Sequence, residues 1–162
     1  MFVPFNALSD NSKIWIYQSS RLFTDVEVNE LESRLSNFVE NWESHSRTLK
    51  GAFLILENRF IVISVDESVN DASGCSIDNS VHFLQEIEIE FKTQLLDKSK
   101  VAIKNNNGEV VLYPLLGLKE AVKYGEITRD TLVFNNLVTT KKEFETLWIV
   151  PAENAWLRKY FK

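Results

Sequence analysis

The residue types that could carry out chemistry are concentrated in one short stretch, residues 73–83 (SGCSIDNSVHF). It contains Cys75, the only cysteine of the chain, and His82, one of its two histidines. A nucleophilic cysteine requires a base, a group that orients the base, and N–H donors for an oxyanion. Cys75 as nucleophile, His82 as base and Asp78 as the orienting acid are the right types. The amides near Ser76 would supply the oxyanion site, so one interpretation is a thiol-dependent enzyme.

The same stretch has the composition of a capped helix start, and this interpretation is favoured. Gly74 suits a tight turn, and Ser76 or Asp78 can accept hydrogen bonds from the first amides of a helix. His82 would then lie almost two turns into the helix, away from its apolar stripe and therefore exposed. That position is far from the sulfur, and Cys75 would be a small buried residue, as free cysteines commonly are.

A third interpretation is a ligand site without catalysis. Backbone amides at the start of a helix bind anions, and the helix dipole there also favours a thiolate. The residues predicted to form such a site are Gly74, Cys75, Ser76, Asp78, Ser80 and His82. The predicted ligand is a small anion or a protein partner.

No other motif for nucleotide or metal chemistry is present in the sequence. The five glycines never have the spacing of a phosphate-binding loop followed by lysine and serine or threonine. The chain is therefore not expected to hydrolyse nucleotide on its own. His45 and His82 lie far apart and are accompanied by a single cysteine, whereas zinc sites take three or four protein ligands. Neither a metal site nor a cofactor is predicted.

The elements that would position the stretch are predicted from residue periodicity. Residues 13–19 have the aromatic and β-branched composition of a strand. A helix over residues 25–43 is predicted to begin with a capping box of Thr24 and Glu27. Two apolar runs around a polar turn predict a hairpin at residues 52–65.

A second helix is predicted to follow residue 76 or 78, and a further hairpin covers residues 100–114. Asn107 and Gly108 favour a tight two-residue turn in that hairpin. The order up to residue 105 is strand, helix, strand, strand, helix, strand, which is the ferredoxin-like βαββαβ arrangement of an antiparallel sheet with two helices on one face. We therefore predict an α+β protein with a ferredoxin-like core at residues 1–105.

The hairpin at residues 52–65 is apolar on both faces, although a sheet with one wet face alternates apolar and polar residues. Two helices cover one face. The other is predicted to be covered by a C-terminal α+β extension, residues 106–162, or by a second copy of the chain in a homodimer. The extension is predicted to contain a short helix closed by Gly125, extended segments at residues 131–140 and 146–151, and a short final helix. It would form one compact unit with the core.

Composition excludes several functions. The net charge is −5 with a pI near 5.1, and the 18 basic residues are scattered, so nucleic acid is not an expected partner. The beginning of the chain does not resemble a signal peptide, and no run approaches the roughly 20 apolar residues of a membrane span. A cytoplasmic location is expected.

Three stretches resemble a known group of proteins. IWIYQSSRLFT, GCSIDNSVHF and TLVFNNLVTTKKEFET are similar to signature stretches of a small bacterial family of about this length, often labelled "ABC transporter ATPase". The resemblance runs over most of the chain and implies a stand-alone cytosolic protein. It brings no catalytic residues, and the missing phosphate-binding loop argues against the activity in the label.

A shorter likeness lies within residues 116–134, where LKEAVKYGEITRDTLVF is similar to part of the GYF-type adaptor domains, without their Gly-Tyr-Phe. That resemblance implies binding to partners. We therefore predict a cytosolic binding or regulatory module with its ligand site at the start of the second helix. The alternatives are a thiol-dependent enzyme and a subunit of a transporter complex that does not hydrolyse nucleotide.

Overall fold

The computed structural model describes residues 1–161 and confirms the mixed α+β class. The described residues separate into two compact units. The first consists of residues 1–96 together with 139–142, and the second of residues 97–138 together with 143–161. The sequence predicted a single boundary after residue 105. It did not predict that residues 139–142 return to the first unit. No helix within residues 1–161 is both long and apolar enough to cross a membrane.

The first unit is built around an antiparallel sheet and two long helices. Its elements in chain order are β1 (Lys13–Gln18), α1 (Asp25–Glu40), β2 (Glu43–Ser44), β3 (Arg47–Thr48), β4 (Lys50–Leu56), β5 (Phe60–Asp66) and α2 (Gly74–Phe91). β5 lies in the centre of the sheet and pairs with β1 on one side and β4 on the other. β2 and β3 form a separate short hairpin.

One face of this sheet and the two helices enclose a hydrophobic core. The strands contribute every second residue, and the helices contribute residues at a spacing of three or four. The buried members are Tyr17, Phe23, Leu31, Leu35, Trp42, Leu49, Ile61, Ile63, Val65, Leu84, Ile87, Phe91 and Leu95. The amphipathic patterns of both predicted helices are therefore confirmed.

The sheet stops one strand short of the ferredoxin-like arrangement. β1, β5 and β4 have the order of the first, third and second strands of the predicted core. The predicted fourth strand, Lys100–Lys104, pairs instead in the second unit with the strand that follows it. A hairpin partner a few residues away closes a much shorter loop than β1 would across α2. The outer edge of β1 is met by another segment, since the Ile14 amide donates to the Thr139 carbonyl at 3.0 Å.

The N-terminal residues meet the opposite edge of the sheet. The Val3 amide donates to the Gly51 carbonyl at 2.9 Å, and the Gly51 amide donates to the Met1 carbonyl at 3.0 Å. These bonds shield an edge that could otherwise pair with another chain. Every residue of β5 is buried, so both faces of this strand are covered as predicted, whereas residues 53–56 of β4 are only half-buried. The assignment of that cover to the C-terminal extension stays a prediction.

The second unit contains another antiparallel sheet. Its elements are β6 (Lys100–Lys104), β7 (Val110–Pro114), α3 (Leu118–Lys123), β8 (Leu132–Phe134), α4 (Lys141–Leu147), whose first two residues belong to the first unit, and β9 (Ile149–Pro151). The strand order is β7-β6-β8-β9. The buried core of this unit consists of Val101, Ile103, Leu118, Ala121, Ile127, Val133, Ala152, Ala155 and Leu157.

Two turn predictions in the second unit have different outcomes. α3 is closed by Gly125 as predicted, because this glycine follows the C-cap Tyr124 with φ of 77°. The Glu126 amide donates back to the Ala121 carbonyl at 2.9 Å, as in a Schellman motif. The β6–β7 hairpin forms, but its turn is five residues long rather than two. The Asn105 side chain accepts from two amides inside that turn, and only Gly108 there has a positive φ.

Candidate functional site

The helix that carries the candidate residues begins earlier than predicted. α2 starts at Gly74, and its cap is Ser73, whose Oγ accepts from the Ser76 amide at 3.1 Å. Ser76 and Asp78, the predicted caps, lie inside the helix. Ser73 has extended backbone angles, which allow its hydroxyl to turn back onto the first amides. Gly74 is an ordinary helical position, since its φ is not in the left-handed region.

The loop that leads into α2 is fixed by polar contacts. Glu67 accepts from the Ala72 amide at 2.9 Å and forms an ion pair with Lys13 at 3.0 Å. The Asn70 side chain donates to the carbonyls of Ser44 and Arg47 in the β2–β3 hairpin. The start of the helix is therefore held in place by groups on β1 and on that hairpin.

A buried carboxylate at the end of β5 supports the same loop. Asp66 is 2% exposed and accepts from the amides of Ser9 and Ser68 at 3.1 and 3.0 Å. Burial alone would raise the pKa of this carboxyl, but the hydrogen bonds from Ser68 and Ser9, together with the charge of Lys50, hold it well below its usual range. The role of Asp66 is therefore structural, because both oxygens of its carboxylate already accept hydrogen bonds.

Two of the predicted ligand residues, Ser76 and Ser80, face the interior. The Ser76 carbonyl accepts from the indole of Trp42 at 2.8 Å, and the Ser76 hydroxyl donates to the Ser73 carbonyl. The Ser80 hydroxyl donates to the Ile77 carbonyl at 2.6 Å. The bond from Trp42 anchors α2 to the rest of the first unit, whereas the two hydroxyl bonds stay within the helix and its cap. They place both hydroxyl groups away from the exposed side of the helix.

The other predicted ligand residues lie together on the exposed side of α2. Gly74, Cys75, Asp78 and His82 are all exposed. Spacings of three, four and seven residues place the last three on one strip of a helix with 3.6 residues per turn. The expectation that His82 is exposed is confirmed. The expectation that Cys75 is a buried filler is wrong, because the second residue of α2 projects to solvent while Ser76 makes the contact with Trp42.

The structure does not assemble Cys75 and His82 into a nucleophile and base. Seven residues along a regular helix correspond to about 10 Å of axial rise. A general base must come within about 3 Å of the proton that it removes. Within residues 1–161, neither side chain makes a hydrogen bond to another residue, and no group of acidic, histidine and cysteine side chains could hold a metal ion.

The β2–β3 hairpin, which contacts the loop before α2, was not predicted from the sequence. Its turn consists of His45 and Ser46, with φ of 52° and 62°. Such turns favour asparagine and glycine, and neither is present here. Trp42, buried directly before this hairpin, also positions α2 through its bond to the Ser76 carbonyl.

Comparison of the chain with protein families, curated proteins and solved structures found no match.

Proposed function

We propose that this chain is a cytosolic, non-catalytic binding module that contacts a protein partner through the exposed strip of α2. The strip is defined by Cys75, Asp78 and His82. The observation that carries the proposal is their arrangement: three polar side chains lie along the outside of one regular helix, with the thiol and the imidazole two turns apart. An open helical surface suits contact with a macromolecule, whereas catalysis requires groups that converge on one atom.

The contacts that hold the start of α2 in place favour the same function. Ser73 caps the helix, Trp42 binds its first turn through Ser76, and Asn70 ties the preceding loop to the hairpin. A surface that is already ordered loses less conformational entropy when a partner binds. The amides of Gly74 and Cys75 have no acceptor within residues 1–161, so a carboxylate of the partner could be bound there.

The first test is the rate at which iodoacetamide alkylates Cys75 at pH 7, in the native chain and in the chain unfolded by urea. We expect the two rates to agree within about fivefold, because an exposed thiol without a base reacts as it does in a peptide. The His82→Ala variant should react at the same rate. A native rate more than about tenfold higher, abolished in His82→Ala, would favour the thiol-dependent enzyme instead.

The second test uses Cys75 as the attachment point for a photoreactive crosslinker. We expect a discrete crosslinked product in extracts of the source cells, and its loss when Asp78 and His82 are both replaced by alanine with Cys75 retained. The matched control carries Cys75→Ser and Val26→Cys, since Val26 is a 73% exposed position on the other helix. The same product from both attachment points, or none from Cys75, would contradict the proposal.

A further inference from the structure

The first unit contains a buried cation without a counter-ion. Arg59 immediately precedes β5 and is 8% exposed. An arginine side chain keeps its charge at any physiological pH, and arginine is almost never buried unless it is paired. Within residues 1–161, Arg59 forms no ion pair with a carboxylate. Desolvation lowers the pKa of this guanidinium, with no neighbouring charge to oppose the effect.

One edge of the guanidinium is hydrogen-bonded and the other has no partner within residues 1–161. Nη1 donates to the Ser19 carbonyl at 3.0 Å. Nε is buried and has no acceptor within residues 1–161, and Nη2 makes no hydrogen bond there either. Nε and Nη2 form the side of an arginine that donates two parallel hydrogen bonds to one carboxylate or phosphate. Buried polar groups are nearly always satisfied, and an ion is one of the few explanations for an exception.

Hydrogen bonds to Ser19 fix the orientation of the guanidinium and therefore of its unpaired edge. The Ser19 amide donates to the Arg59 carbonyl at 2.7 Å, so the two residues are joined in both directions. Ser19 is fully buried, and its hydroxyl lies 2.6 Å from the hydroxyl of Thr93, which also contacts Ser20. The carbonyl that holds Nη1 therefore has little freedom to move.

The nearby Arg21, unlike Arg59, is paired with a carboxylate. Both of its terminal nitrogens donate to the Glu27 carboxylate, at 2.8 and 2.6 Å, and Nη2 also donates to the Phe91 carbonyl. The Arg21 amide donates to the Ser19 hydroxyl, and Arg59 donates to the carbonyl of the same residue. Of these two arginines, Arg59 is the one with unpaired donors and no counter-ion within residues 1–161.

We propose that Arg59 is the binding residue for a small oxyanion, a carboxylate or phosphate, held by Nε and Nη2. This site is separate from the strip on α2 and does not depend on the proposed binding function. Anion binding would supply the missing counter-charge and stabilise the folded chain.

The experiment is a thermal unfolding series on the full chain with phosphate, acetate or chloride at constant ionic strength. With the anion in about tenfold excess over its dissociation constant, Tm is expected to rise by about 3–5 °C. Whichever of phosphate and acetate gives the larger rise over chloride identifies the class. Arg59→Lys keeps the charge but loses the fork and should lose the rise, whereas Arg47→Gln removes an exposed arginine of the same unit and should retain it.

Equal responses in Arg59→Lys and the unsubstituted chain, or no response beyond chloride, would overturn the proposal. If Arg59→Lys fails to fold, the test is an NMR titration of the unsubstituted chain with each anion, in which the 15Nε resonance of Arg59 is followed. A saturable shift with one anion supports the site, and an unchanged resonance overturns it.

Discussion

Adjacent residues at the start of α2 have opposite environments. Cys75 is exposed, and Ser76 is 1% exposed beneath Trp42. A helix turns by about 100° per residue, so one of two neighbours can contact the core while the other faces solvent. The exposed group is available for a partner, and the buried one positions the helix. This division is the reason that the proposed binding strip includes only part of the predicted ligand set.

Two glycines in the first unit are expected to respond in opposite ways to alanine. A Cβ at Gly51 would lie 3.0 Å from the Ser64 carbonyl oxygen and 3.0 Å from Val39 Cγ1, whereas a Cβ at Gly74 would meet nothing within 4 Å. Gly51→Ala should lower the free energy of unfolding by about 1–3 kcal/mol. Gly74→Ala should raise it by about 0.4–1 kcal/mol, because alanine loses less backbone entropy on folding.

Urea unfolding followed by circular dichroism measures both changes. Gly74→Ala is the matched control for Gly51→Ala, since each adds one methyl group. Equal effects would mean that the close approach at Gly51 does not restrict the side chain. A loss with Gly74→Ala would show that this position needs glycine for a reason other than backbone freedom.

At the scale of elements, the start of α1 is a network rather than a single cap. The Thr24 hydroxyl accepts from the Glu27 amide at 3.2 Å, and Glu27 accepts from the Thr24 amide at 2.9 Å, which confirms the predicted capping box. Arg21 extends it through the same carboxylate to the last residue of α2. The hydrogen bonds from Arg21 are the main cause that lowers the pKa of Glu27 from 4.5 to about 2.

This network predicts a specific dependence of stability on acid. The folded pKa of Glu27 lies below its unfolded value, so its contribution is complete above pH 4.5 and disappears as the pH falls through about 2. The unsubstituted chain should exceed Glu27→Gln in unfolding free energy by about 1 kcal/mol or less at pH 7, since Arg21 is partly exposed. The difference should shrink between these two pH values.

Parallel urea titrations of both chains at several pH values make this comparison. Glu30→Gln, an exposed position on the same helix, is the control and should show little difference at any pH. A difference between Glu27→Gln and the unsubstituted chain that does not change from pH 7 to pH 2 would contradict the assignment.

At the scale of the whole molecule, the chain leaves the first unit at residue 96 and returns to it at Thr139–Lys142. The Lys141 amide donates to the Ser12 carbonyl at 2.9 Å, and the Lys141 ammonium donates to the buried Leu8 carbonyl at 2.8 Å. The stability of the first unit therefore depends on residues more than forty positions beyond its main segment.

Lys141→Met is expected to lower the free energy of unfolding by about 1–3 kcal/mol, because it leaves the Leu8 carbonyl without its charged donor. The Ile14 amide, which donates to the return segment, should then exchange its hydrogen faster. Lys98→Met, at an exposed lysine, is the control and should stay within about 0.5 kcal/mol. Unchanged exchange at Ile14 would show that the return segment does not stabilise β1.

Local interactions made a large part of this fold predictable from sequence. The capping box at Thr24 and Glu27, the apolar stripes of α1 and α2, the hairpin of β4 and β5, and the cap at Gly125 all depend on residues within a few positions of one another. The sequence also placed the candidate residues at the start of one helix and His82 on its exposed side.

Only the tertiary structure decided what depends on distant partners. The sequence predicted Ser76 or Asp78 as the cap of α2, but Ser73 caps it, and the Ser76 carbonyl accepts instead from Trp42. β6 joined the second sheet rather than β1, and the return segment met the edge of β1. The exposure of Cys75 and the burial of Arg59 likewise follow from packing between segments far apart in sequence, for which neighbouring residues carry no signal.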